Sequence, residues 1–192
     1  LNNLAQLSQR QRFASRFSRA LPPAVVLCVV VLAAGIKAEL GLWGVLALLL
    51  GVTVVPGLIY KRSGRLFSRL GLPSYWRTNL VAALTFTAAV ICFLLKLDQP
   101  VPATVAALCF GNVGLVFFRR WLNVSAHVSV MTFGVLWFSA VFGSSWAWLL
   151  VLSPLMLFSR VTAREHTLKE AWAGLALGIA TFGCFLGAMT WS

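Results

Sequence analysis

Seven apolar stretches recur along the chain, at residues 22–36, 41–60, 78–95, 101–118, 128–142, 146–158 and 171–191. Most approach the ~20 residues a helix needs to cross the hydrocarbon of a bilayer. The short alternating segments of a membrane β-barrel are missing from the pattern. The pattern therefore predicts an all-α fold, a polytopic membrane helical bundle.

The breaks between stretches carry turn chemistry. Pro22-Pro23 opens the first span, where a missing amide donor does no harm. Lys37 and Glu39 mark a tight turn into the second, and Lys96, Asp98, Pro100 and Pro102 mark the turn between the third and fourth. Gly143-Ser144-Ser145 divides the fifth span from the sixth. These two spans are short, which predicts ends that stop below the lipid surface around a recessed polar pocket.

Composition supports this architecture. The chain has 192 residues, 60% of them hydrophobic and 10% charged, more apolar surface than a soluble domain of this size can hide. A net charge of +12 would suggest nucleic acid in a soluble protein, but here the basic residues lie between apolar stretches. Membrane topology and contact with anionic lipid or substrate account for them without a nucleic-acid partner. Segments 1–21, 60–77, 119–127 and 159–170 hold nearly all the cations, against Lys37 and Lys96 on the other side. The positive-inside rule makes the crowded side cytoplasmic. This points to a bacterial inner-membrane protein.

Residues 1–21 read as a basic interfacial helix or tail, with Leu4, Leu7, Phe13 and Phe17 interleaved with Arg10, Arg12, Arg16 and Arg19. Residues 22–192 form one transmembrane domain. Cys28, Cys92, Cys109 and Cys184 stand alone in apolar runs, with neither metal-ligand nor disulfide spacing. Gly174, Gly178, Gly183 and Gly187 form two small-xxx-small pairs that let a neighbouring helix approach. Tryptophans 43, 76, 121, 146, 148 and 191 fall near span ends, as in an interfacial belt.

The chemistry concentrates in residues 159–170, which hold one of two histidines and two of four acids. On a helix His166 and Glu170 share a face, so the carboxylate can orient the imidazole and make its other nitrogen a better nucleophile. Arg160 supplies a fixed guanidinium fork suited to phosphate. The second histidine, His127, follows Arg119, Arg120, Asn123 and Ser125 on the same predicted side. Asn123 and Ser125 are good helix N-caps, and a helix N-terminus beside arginines is an anion site. Taken singly, each feature has a plainer reading: a solvated loop, a cap, an interfacial histidine.

Together these residues resemble the type 2 phosphatidic acid phosphatase superfamily of membrane lipid phosphatases. Its third motif is Ser-Arg, five residues, His, three residues, Asp; Ser159, Arg160 and His166 fit, with Glu170 in the aspartate place. Its second motif ends in Ser-x-His, which Ser125-Ala126-His127 fits, and the resemblance covers residues 119–187. The first motif, Lys, six residues, Arg-Pro, is degenerate here. Arg62 and Arg69 have the spacing without the proline, and Arg77 is the better counterpart in the branch this chain looks like. That branch tends to have lysine where Asn123 stands.

The resemblance implies six to seven transmembrane helices around a six-helix phosphatase core, and hydrolysis of a lipid phosphate or diphosphate. A polyprenyl diphosphate or phosphate and a glycerophospholipid phosphate are the candidate substrates. It also implies a phosphohistidine on His166, with Glu170 orienting it and His127 as the proton donor. Arg160, Ser125, Asn123 and arginines among Arg62, Arg69, Arg77 and Arg120 would bind the phosphate. No metal or other cofactor is expected. The rival reading is a non-catalytic lipid-phosphate binding or transport protein on the same scaffold, suggested by the degenerate first motif and the Asp-to-Glu change. A small-solute channel finds no polar stripe in spans rich in leucine, valine and phenylalanine.

Overall fold

The computed structural model describes residues 9–71, 73 and 76–190, leaving aside the side chains of residues 65 and 66. Among the described residues the protein is entirely helical and turn, with no strand. In chain order the helices are α1 (Gln9–Ala20), α2 (Pro23–Lys37), α3 (Leu42–Arg69) and α4 (Trp76–Leu94). They are followed by α5 (Val101–Phe118), α6 (Ala126–Phe142), α7 (Ser144–Thr162) and α8 (Leu168–Met189). Five of these, α3, α4, α5, α7 and α8, are long and apolar enough to cross a membrane, and a sixth is reached if α1 and α2, bent by 40°, count as one span.

All seven apolar stretches are helical, but several bounds move. The second does not stop at residue 60. It runs on to Arg69, so Arg62 and Arg69 ride on a helix rather than a loop. The sixth runs from Ser144 to Thr162, opening as a 3-10 turn over Ser144–Val151, and so carries Ser159 and Arg160 on its last turns. Leu4, Leu7 and Trp191 lie outside the described residues. Within α3 the backbone widens to a π-helix over Leu50–Val54. Pro56 has no amide to donate to the carbonyl four residues back, and Val55 bonds Leu50 instead, five back.

α6 is packed against α2, α7 and α8. Its 17 residues rise ~26 Å, short of the ~30 Å hydrocarbon thickness. Several polar pairs tie the helices together. The indole of Trp137 donates to Thr104 Oγ1 at 2.9 Å, and Thr132 and Ser153 share a hydroxyl contact of 2.6 Å. Asn112 donates to Thr85 Oγ1 at 2.9 Å between α5 and α4.

Packing between α6 and α8 depends on glycine. A Cβ on Gly174 would lie 2.7 Å from the Ser125 carbonyl oxygen, and one on Gly178 would lie 2.6 Å from that of Ser129. Gly183 and Gly187 face nothing within 4 Å. Only the first small-xxx-small pair lies against the α6 backbone; further along, Trp137 of α6 meets Phe185 of α8 instead. α1 exposes Phe13, one of the apolar residues expected to anchor it. It buries Ala14, Ser15 and Ser18 and exposes its arginines, and Ser159 Oγ on α7 donates to the Ala14 carbonyl at 2.6 Å.

Candidate functional site

α7 ends just past Arg160, and the chain reverses through a tight turn in which Arg164 takes a left-handed φ of 55°. The backbone amides of Glu165 and His166 both donate to the Arg160 carbonyl, at 3.1 and 3.4 Å. The turn thus folds back onto the arginine that precedes it. Thr167 then caps α8 in a full capping box. The Thr167 amide donates to Glu170 Oε2 at 2.8 Å, and the Glu170 amide donates to Thr167 Oγ1 at 3.3 Å.

This corrects the picture of His166 and Glu170 on one helical face. His166 lies on the turn ahead of the cap, outside the helix. The two still meet, because the capping carboxylate points back along the chain. Glu170 Oε2 lies 3.4 Å from His166 Nδ1, a contact without hydrogen-bond geometry. The capping role limits how far that carboxylate can move toward the ring.

The second histidine arrives by a different route. Ser125 donates its backbone amide to the Glu170 carbonyl at 3.3 Å, and its own carbonyl rests on Gly174. The N-terminus of α6 is thereby locked to the first turns of α8. His127, the second residue of α6, is close enough to Arg160 and His166 for both to act on it electrostatically. The Ser125 side chain does not cap α6. It is fully buried, and its Oγ has no hydrogen-bond partner.

His127, His166, Arg160, Glu165, Asn123 and Arg119 line one cavity of about 720 Å³. From this polar mouth the cavity runs between helices past Val52, Leu108, Val130 and Phe133. The π-helical stretch of α3 borders it through Val52 and Thr53. Five buried side-chain polar atoms among the described residues lack a hydrogen-bond partner, and three of them are Ser125 Oγ, Arg160 Nε and His166 Nδ1. Ser125 is not in the cavity lining, whereas Arg160 and His166 are; such atoms are costly in a folded interior, and these two mark a site built for something other than packing.

The remaining candidates are placed elsewhere. Arg77 donates to the Tyr60 carbonyl from Nε and Nη2 at 3.1 and 2.6 Å and stacks 4.2 Å over the Tyr60 ring, tying α3 to α4. Arg62, Arg69 and Arg120 are exposed, and the cavity lining does not include them. Arg119, hydrogen-bonded to Thr78, is the arginine of its pair that reaches the cavity. Among the described residues no three His, Cys, Asp or Glu side chains cluster as metal ligands would.

Two lining residues escaped the reading by motif. Glu165 forms an ion pair with Arg160. Its signal was its position beside His166 in a chain with only four acids. Asn112 was legible as an amide inside an apolar span, where a polar side chain needs a partner or a function. No protein family, no curated protein and no solved structure matches the chain.

Proposed function

We propose that this is an integral membrane phosphatase that hydrolyses a lipid phosphate or diphosphate through a phosphohistidine. The observation that carries the reading is the meeting of His127, His166 and Arg160 in the mouth of a cavity whose interior is largely apolar. A lipid phosphate has the same division, an anionic head on a hydrocarbon tail. Polyprenyl phosphates and diphosphates and glycerophospholipid phosphates fit it equally.

In the first step His166 attacks phosphorus through Nε2, since Nδ1 faces Glu170. The new P–N bond forms as the bond from phosphorus to the leaving oxygen breaks, and His127 gives that oxygen a proton. In the second step His127 takes a proton from water, the hydroxyl attacks phosphorus and the P–N bond breaks. This frees inorganic phosphate and restores both imidazoles. Arg160 neutralises charge on the equatorial oxygens, with Arg119 and Asn123 at the same mouth. On this reading the mouth lies at the cytoplasmic face of a bacterial inner membrane, and the basic ends of the helices favour that side.

The test is phosphate release by the purified protein from a panel of prenyl and glycerol lipid phosphates. Wild type turns over at least one, His166→Ala falls by several orders of magnitude, and Glu39→Ala at the opposite end of the bundle keeps full rate. Equal rates in wild type and His166→Ala would end the reading. Binding without turnover would leave a lipid-phosphate binding protein instead.

A further inference from the structure

Arg160 does not stand open in its pocket. Its Nη1 is paired with the carboxylate of Glu165, while its Nε, also buried, has no hydrogen-bond partner. The arginine side chain is 11% exposed and the glutamate 35%. Both line the cavity mouth with the two histidines. We infer that Glu165 is a tethered competitor for the phosphate site, an internal carboxylate that must leave Arg160 before a phosphate oxygen can take its place. This rests on the proposal that Arg160 receives a phosphate, though not on catalysis.

Three features carry it. A carboxylate and a phosphate ask the same thing of a guanidinium, two oxygens against a planar fork, so they cannot share Nη1. The pair is also built to be opened from one side. Arg160 is fixed on the last turns of a helix, and its carbonyl holds the following turn by two amide bonds. Glu165 reaches it from that turn with a third of its side chain in contact with solvent. It can rotate outward without passing through the protein. Finally, Glu170 is the other acid beside the histidines, and it is held in the capping box. Glu165 is thus the carboxylate free to rearrange.

A structural reading assigns Glu165 the opposite effect. If it only positioned Arg160, its loss would weaken anion binding; if it competes, its loss strengthens it. The full chain in detergent is titrated with inorganic phosphate and with orthovanadate, and affinity is read by calorimetry. Glu165→Gln is expected to bind both about tenfold more tightly, as removal of a like charge from an anion site does. Glu165→Asp, with the charge kept on a shorter arm, should fall between wild type and Glu165→Gln. It keeps the test alive if Glu165→Gln folds poorly. Arg160→Gln should lose binding with or without Glu165. Unchanged or weaker binding in both Glu165 variants would overturn the inference, as would binding that survives Arg160→Gln. Lipid phosphate turnover is measured on the same samples. Tighter phosphate binding with no turnover in any variant would sustain the competitor and remove the phosphatase.

Discussion

At the scale of single residues, the two histidines differ in how they are held. His166 sits on a turn with a carboxylate 3.4 Å from Nδ1, and it lines the cavity. His127 is on a helix N-terminus, where Ser125 and Gly174 fix the backbone around it. The proposed division of labour between nucleophile and proton donor can be tested through the leaving group. A phenyl phosphate with a strongly electron-withdrawing substituent needs no proton on departure. His127→Asn should therefore still form the phosphoenzyme with it while hydrolysing the intermediate slowly. The expected result is an acid-labile phosphate on His166, accumulating in His127→Asn and missing from His166→Ala. Arg160 and Ser159 were readable as a motif because their spacing from His166 lies along the chain. Glu165 was not, since its role comes from a reversal of direction at Arg164 that brings residue 165 back onto residue 160.

At the scale of elements, the site depends on two helix starts, those of α6 and α8, being pressed together. Gly174 and Gly178 allow it, with Cβ positions 2.7 and 2.6 Å from carbonyl oxygens of α6. Leucine at Gly178 should push α6 from α8 and lower the melting temperature, costing about 3 kcal/mol by overpacking. Leucine at Gly183, which faces nothing, should leave it unchanged, and the pair measured by thermal unfolding in detergent checks which glycines make contact. Four glycines at small-xxx-small spacing look alike in sequence. Which pair is used depends on where α6 crosses α8, and no local pattern encodes that. The same holds for helix ends. Apolar runs located the spans, while the extension of α3 to Arg69 crosses a basic stretch that reads as loop by composition. It is stabilised there by Arg77 reaching back from α4 to the Tyr60 carbonyl.

At the scale of the whole molecule, the antiparallel run of helices brings the connectors after α5 and α7, with the N-terminus of α4, to one end. The turns holding Lys37 and Lys96 lie at the other, where Ala38 and Leu97 share one core cluster. Single cysteines at Arg120 and Lys96 should therefore react with a membrane-impermeant maleimide from opposite faces of a sealed vesicle. Labelling of both from the same face would contradict the bundle. Read from the chain alone, the helical class, the segregation of charge and the nearness of Arg160, His166 and Glu170 along the sequence were already determined. Each depends on local hydrophobicity or on residues a few positions apart, and the bilayer restricts such segments to helices. Only the tertiary structure decided that His127 joins them, that Arg77, Arg62, Arg69 and Arg120 do not line the cavity, and that Glu165 stands on Arg160. Those are contacts between helix ends far apart in sequence, set by how close two backbones can pack and by which carbonyl a side chain reaches.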